Sequence, residues 1–161
     1  MLTKKQCIII IIIFAFINLN IFIMSLQLTP HFTLEELTKT KTGLSNVPNV
    51  EQTNQLRLLC RDILEPLRHY GECAPIIVDS AFRSPVVNKS VGGVPTSQHL
   101  LGQAADIHCY YSAERLYSII ISLVSDGIFN VGQCILYPKS HFVHISLPNN
   151  THKNDFIISN N

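Results

Sequence analysis

The sequence feature that most constrains the fold is a histidine and an aspartate on either side of a glycine. His99 precedes Gly102, a residue type that lets the backbone turn sharply, and Asp106 lies within the apolar run 104–109, which is typical of a strand. A second histidine, His144, follows far downstream in a run of the same kind. The side chains of Asp106 and His144 can meet only if the two runs form neighbouring strands and both side chains lie on the same face of the sheet.

The first 25 residues have the pattern of a leader for export. Two lysines precede an apolar run over residues 7–17, as in a signal peptide, but no clear small-residue cleavage site follows. The stretch 6–24 is just long enough to span a bilayer, although two asparagines weaken it. A signal peptide over residues 1–25 and an uncleaved signal anchor therefore both remain open. In either case we expect the rest of the chain to be exported, and thus periplasmic or extracellular.

Two helix-start patterns come before most of the strand-like runs. Thr33 is followed three residues later by Glu36, a capping box that predicts a short helix ending near residue 39. Asn49 caps a longer helix with Gly71 as its stop. Its apolar positions follow helical spacing and are Leu56, Leu59, Cys60, Ile63, Leu64 and Leu67. Pro66 lies inside this pattern and should kink the helix or make its last turns less regular.

Four apolar runs, rich in β-branched residues, predict strands. They cover residues 75–80, 104–109, 132–137 and 142–147. The turn residues 138–141 favour a hairpin between the last two runs. Ser112 caps a helix that Gly127 ends. Residues 81–88 are rich in turn residues and show no clean periodicity, and the glycines and proline of residues 91–96 predict a loop.

Early helices and later strands favour the α+β class. We expect a small antiparallel sheet to carry the site, with helices packed mainly on one face. The length of 161 residues fits one domain, over residues 26–148. We predict that residues 149–161 are a frayed C-terminal tail, and that the protein is a monomer.

Charge and cysteine content narrow the function classes. The net charge of +1 gives no electrostatic reason to expect a nucleic-acid partner. The four cysteines after the leader are Cys60, Cys73, Cys109 and Cys134. None lies in a C-x-x-C pattern, so a thiolate zinc site is not expected. An exported chain permits disulfides, in any of three pairings of these cysteines. Buried reduced thiols are the alternative, and both interpretations remain open.

The residues that suggest chemistry are ligand types for a catalytic metal. His99, Asp106 and His144 could hold one zinc ion and leave a fourth position for water. His108 lies on the same strand face as Asp106 and is a rival ligand or an outer partner. The HExxH pattern of thermolysin-type zinc peptidases is absent. Cysteine–histidine catalysis also stays open, although no cysteine lies in a turn that would expose it.

Several short motifs occur in order along the chain. They are Phe82-Arg83-Ser84-Pro85, Asn88, Gly92-Gly93, Ser97-Gln98-His99 with Gly102, Ala104 and Asp106, and Phe142-Val143-His144-Ile145. In this order they resemble the zinc D-Ala-D-Ala metallopeptidases, whose fold is shared with lysostaphin-type peptidases and the hedgehog domain. The similarity also takes in residues 32–37 and 64–68, and so covers residues 30–147. It implies one Zn²⁺ and a peptidoglycan peptide as substrate.

The resemblance also implies roles for individual residues. His99, Asp106 and His144 match the zinc ligands. Arg83 matches the arginine that binds substrate near the metal, where it is a fixed cation for a carboxylate or an oxyanion. Ser97 matches a serine near the ligands or the substrate. Gln133 matches a position at the edge of the cleft.

The sequence departs from the family pattern at the general base. Many relatives carry a glutamate shortly before the last zinc histidine, but residues 137–141 contain no carboxylate. His141 lies three residues before His144 and is either the base or an exposed turn residue. We expect zinc-dependent cleavage of peptidoglycan stem or cross-link peptides, as a DD-carboxypeptidase or an endopeptidase. A catalytically weak or inactive cell-wall-binding domain and a disulfide-bonded domain without metal are the alternatives.

Overall fold

The computed structural model of the chain describes residues 6, 8–13 and 26–160. Residue 6 and residues 8–13 are helical and exposed. The rest of the predicted leader or anchor lies outside the described residues, so that hypothesis stays a prediction. Within the described ranges, no helix is both long enough and apolar enough to cross a membrane.

The N-terminal part of the domain is helical, as expected. A small sheet of β1 (Gln27–Thr29) and β2 (Phe32–Thr33) leads into α1 (Leu34–Thr38). Thr33 caps α1 by accepting a hydrogen bond from the amide of Glu36 at 3.2 Å. The next helix, α2 (Val50–Leu59), starts at a complete capping box. Here the Asn49 and Gln52 side chains each accept a 2.8 Å bond from the other residue's amide.

The long helix changes its hydrogen-bonding pattern before Pro66. A π-helical turn (Cys60–Leu64) joins α2 to α3 (Glu65–Tyr70). The amide of Glu65 donates to the carbonyl oxygen of Cys60, five residues back, just before the proline that has no amide hydrogen to donate. The predicted loss of regularity is therefore confirmed. The apolar face stays continuous through the change, and its six predicted positions are all fully buried.

The main sheet has five strands. They are β3 (Ile77–Ser80), β4 (Ala104–His108), β5 (Gln133–Tyr137), β6 (Phe142–Ser146) and β7 (Asp155–Ile158), in the spatial order β3-β4-β6-β5-β7. The first four pair antiparallel, and β5 and β6 form the predicted hairpin. The fold is therefore the expected α+β arrangement, with one further strand that runs parallel to β5.

The prediction that residues 149–161 form a frayed tail is wrong. Asp155–Ile158 pairs with the outer side of β5, with Asp155 opposite Gln133. Since β7 runs opposite to β6, the loop between them passes over the start of β5. The Asn154 side chain accepts a 2.9 Å bond from the amide of Val131, and the Asn154 amide donates to the Val131 carbonyl. Backbone pairing with β5 thus orders a segment whose composition is that of a loop.

Strand alternation separates a core face from a site face. The core face of the sheet is formed by Ala105, Ile107, Cys134, Leu136, Val143 and Ile145. A short helix, α4 (Pro85–Ser90), follows β3. Helix α5 (Ala113–Ser125) packs against β5 and β6 and contributes Leu116 and Ile120 to this core. Asp106 and His144 lie at the alternate positions of β4 and β6, on the other face.

The four cysteines after the leader are buried and reduced. The Cys73 thiol, just before β3, contacts the Cys109 thiol just after β4. Burial is the main reason that the pKa of Cys73 is raised to about 12.

Candidate metal centre

His99 is positioned by a short helix that the sequence did not reveal. A 3₁₀ helix (Gln98–Leu101) replaces the predicted loop, and the Ser97 hydroxyl caps it by accepting from the His99 amide at 3.4 Å. Gly102 ends the helix with φ of 71°, so the predicted turn is confirmed. The His99 Nδ1 donates to the carbonyl oxygen of Ala81 at 2.6 Å. This bond leaves Nε2 as the ligand atom and fixes the ring orientation.

Asp106 and His144 face each other on adjacent strands. They are direct partners in the antiparallel register of β4 and β6. His144 Nδ1 lies 2.8 Å from Asp106 Oδ1. His99 Nε2 lies 3.2 Å from His144 Nδ1 and 3.2 Å from Asp106 Oδ1. Three donor atoms, one from a 3₁₀ helix and two from adjacent strands, thus form a compact triangle.

The triangle fits a zinc ion. Bonds of about 2.0–2.2 Å in tetrahedral geometry place ligand atoms about 3.4 Å apart, which is close to the two 3.2 Å separations and longer than the 2.8 Å one. Two imidazoles and a carboxylate are also a suitable zinc donor set. All three residues are buried or half-buried, and they form a possible metal-binding group within the described part of the chain.

Arg83 completes the centre on the side of β3. Its Nη2 donates to Asp106 Oδ2, and its Nε donates to Ser80 Oγ at 2.8 Å. Its own amide donates to the His99 carbonyl at 3.1 Å. The two carboxylate oxygens of Asp106 therefore have different partners, imidazole nitrogens on one and a guanidinium on the other. This arrangement places a fixed cation beside the predicted ligands, as the resemblance implied.

The surroundings keep Asp106 ionised. Burial by itself raises the pKa of this carboxyl group. Hydrogen bonds from His144 and His99, together with their charges, lower it by more, so the pKa lies well below its usual range. Asp106 is therefore available as an anionic ligand at neutral pH.

The three candidate ligands lie in one cleft of about 900 Å³. Arg83, Ser97 and Gln133 also line it, so all the predicted substrate-binding positions lie there. The roles of these three residues stay predictions. Tyr137, stacked on Phe142 with ring centres 4.7 Å apart, forms part of the same wall.

His141 and His108 lie outside this cleft. His141 is exposed in the hairpin turn with φ of 58°. It lies in the turn just before β6 begins at Phe142, near Glu114 at the start of α5. Its role as a base stays a prediction that this placement does not support. His108 pairs instead with Asp79 of β3 at 2.7 Å and is not a third histidine ligand.

Sequence reasoning missed two residues around the centre. The buried Asn46 side chain donates to the carbonyls of Thr38 and Phe82, and it accepts from the amide of Ser84. It thereby fixes the backbone on both sides of Arg83. His152 also lines the cleft, and it pairs with Asp155 at 2.6 Å. The His-x-x-Asp spacing was the available signal, but it lay in the segment predicted to be frayed.

A comparison with protein-family models gives a match to the model described as Peptidase M15, over residues 30–146. No curated protein matches the chain. The matched range contains the three candidate ligands and Arg83, and it confirms the resemblance to zinc D-Ala-D-Ala carboxypeptidase-like enzymes. It also supports metallopeptidase activity. Because the match spans most of its residues, the chain belongs to the peptidase M15 family.

Proposed function

We propose that this protein is a metallopeptidase that uses one zinc ion to hydrolyse a peptide bond in peptidoglycan. The observation that carries the proposal is the triangle of His99 Nε2, Asp106 Oδ1 and His144 Nδ1, with sides of 2.8–3.2 Å, in the matched family region. When bound there, zinc would act as a Lewis acid on the scissile carbonyl and lower the pKa of water.

The residues around the triangle have separate tasks. The Ala81 carbonyl holds the His99 ring in the orientation that presents Nε2. Arg83 is the anion-binding group of the cleft, for the terminal carboxylate of a substrate or for the oxyanion that develops during attack. Its bond to Asp106 Oδ2 keeps the guanidinium next to the reacting centre. Ser97 and Gln133 offer hydrogen bonds to the substrate backbone along the cleft.

The substrate assignment rests on family resemblance and on the predicted export signal. Stem and cross-link peptides of peptidoglycan lie outside the cytoplasmic membrane, where an exported domain would meet them. We propose an exported monomer, periplasmic or extracellular and held at the membrane if residues 6–24 are retained. DD-carboxypeptidase and endopeptidase specificity differ only in which bond enters the cleft.

One observation favours a second candidate function, a cell-wall-binding domain with little or no catalysis. No glutamate precedes His144 at the family position, and His141 lies outside the cleft. A domain that binds muropeptides through Arg83 and the metal, without proton transfer, would show this pattern.

Incubation of the purified protein with muropeptides, followed by mass spectrometry of the products, tests the proposal. We expect cleavage that a chelator abolishes and zinc restores, and the product masses identify the bond. A His99→Ala, His144→Ala double variant is the control and should neither bind zinc nor cleave. A zinc-loaded protein that binds muropeptides without cleaving them would establish the binding domain instead.

A further inference from the structure

The cleft contains one ionisable side chain suited to proton transfer that the metal centre does not use. The described ionisable residues lining the cleft are Arg83, His99, Asp106, Tyr137, His144 and His152. His99, Asp106 and His144 are the candidate ligands, and Arg83 stays protonated at all working pH values. Burial is the main cause that raises the pKa of Tyr137 above that of an ordinary phenol. His152 therefore remains.

We propose that His152, oriented by Asp155, is the proton-transferring group of this cleft, a role that rests on the proposed function. His152 Nδ1 lies 2.6 Å from Asp155 Oδ2. A carboxylate on Nδ1 favours the tautomer that carries its proton there, and this leaves Nε2 as a proton acceptor. Both side chains are about one-third exposed, so water can reach the ring.

The segment that carries the pair is held by hydrogen bonds. The Asn149 Oδ1 accepts from the amides of Thr151 and His152, both at 2.8 Å. The Asn149 amide donates to the His152 carbonyl at 2.9 Å, which closes the loop. The Asp155 amide donates to the Gly132 carbonyl at 2.9 Å, at the start of β5.

These bonds tie the pair to the wall of the cleft. β5 presents Gln133, Ile135 and Tyr137 to the cleft, and the loop that carries His152 crosses the start of this strand. The position of His152 is thus set by the same sheet that carries Asp106 and His144. A catalytic base requires such a fixed position relative to the reacting centre.

The proton transfers balance over one turnover. The His152 Nε2 takes a proton from water as the water oxygen bonds to the scissile carbonyl carbon. The resulting imidazolium, stabilised by Asp155, then returns this proton to the amine nitrogen as the C–N bond breaks. His152 ends neutral, and the products are a carboxylic acid and an amine.

Several charged or ionisable groups lie near His152. Lys153 is its neighbour on the loop. Asp106 and Arg83 are the other charged groups of the cleft, and Tyr137 is the ionisable group on β5. Asp155 is the group paired with the His152 ring.

The test compares three variants with the wild-type protein on muropeptides. His152→Ala and His152→Gln should lower kcat by about 10²–10⁴-fold, with KM, zinc content and melting temperature close to wild type. His69→Ala is the matched control, because that histidine is exposed on α3 and does not line the cleft, and it should retain wild-type kcat.

A second measurement does not depend on activity. Nitrogen-15 NMR of the metal-free protein should show His152 as the Nδ1-protonated tautomer at neutral pH, and Asp155→Asn should remove this preference. Wild-type kcat in both His152 variants would overturn the role of the pair while the proposed peptidase function stands. A fully zinc-loaded wild-type protein that cleaves no muropeptide would overturn both.

Discussion

Gly102 links the metal-binding turn to the long helix, and its replacement by alanine offers a test of how the site is built. Its φ of 71° is a left-handed conformation that L-residues with a side chain rarely adopt. A Cβ atom at this position would lie 2.6 Å from the carbonyl oxygen of Gln52 and 3.2 Å from the Leu56 side chain. The first of these contacts is with helix backbone, which cannot move without disturbing α2.

The expected cost has two parts. The left-handed conformation costs about 1–2 kcal/mol for a residue with a Cβ. Forcing the new methyl group against α2 adds about 1–3 kcal/mol, as in overpacked cores. Gly102→Ala should therefore lower the free energy of unfolding by about 2–5 kcal/mol. Since Gly102 follows His99 closely, the variant should also bind zinc more weakly.

Gly127→Ala provides the matched control. Its φ of 73° is nearly the same, but no atom lies within 4 Å of the position that a Cβ would take. It should cost only the conformational part, about 1–2 kcal/mol, and leave zinc affinity unchanged. Urea denaturation of the metal-free proteins and zinc titration measure both quantities. Equal destabilisation by the two variants would refute the close contact between Gly102 and α2.

Two further predictions follow from the buried polar and thiol groups. Asp106→Asn should abolish zinc binding, as measured by zinc titration. It should also destabilise the metal-free protein by about 3 kcal/mol at neutral pH, as measured by urea denaturation, because Arg83 loses its charge partner in a buried site. The folded-state pKa of Asp106 is lowered, so its contribution to stability is present above the ordinary value of 3.8 and is lost as the pH falls below it. The difference in unfolding free energy between wild type and Asp106→Asn, measured by denaturation against pH, should therefore decrease in acid. A difference that does not change with pH would contradict the lowered pKa of Asp106. Under oxidising conditions Cys73 and Cys109 should form a disulfide because their thiols are in contact, whereas Cys60 and Cys134 stay reduced. Peptide mapping without reductant tests this pairing, and a disulfide between any other two cysteines would disprove it.

Local signals in the sequence were sufficient for the helix starts, whereas the three candidate metal ligands were predicted from their spacing together with the family resemblance. The caps at Thr33 and Asn49 depend on residues within one turn, and both form as predicted. His99, Gly102 and Asp106 follow one another along the chain, so the turn between them also depends only on nearby residues. His144 required only that its strand lie beside that of Asp106, which is how β4 and β6 pair.

The features that the sequence did not reveal are either very short or depend on distant partners. Helix α4 (Pro85–Ser90) and the 3₁₀ turn at His99 are too short to show a periodic pattern. β7 forms because β5 offers it an unpaired side, and the run Phe156-Ile157-Ile158 within the mostly polar residues 149–161 was too short a signal to predict this. For His141, in contrast, the signal was present. It belongs to the predicted turn 138–141, before β6 begins at Phe142, and so lies outside the strand that carries His144.

The pairing of β7 also has a practical consequence for the solubility of this domain. The family match ends at residue 146, so a protein trimmed to that match would lose β7. The backbone of β5, in the apolar sequence Cys134-Ile135-Leu136, would then be exposed at the outer side of the sheet. Such an edge is a template for strand addition by a second chain. The last residues therefore protect the sheet against self-association, and domain boundaries for expression belong after Ile158.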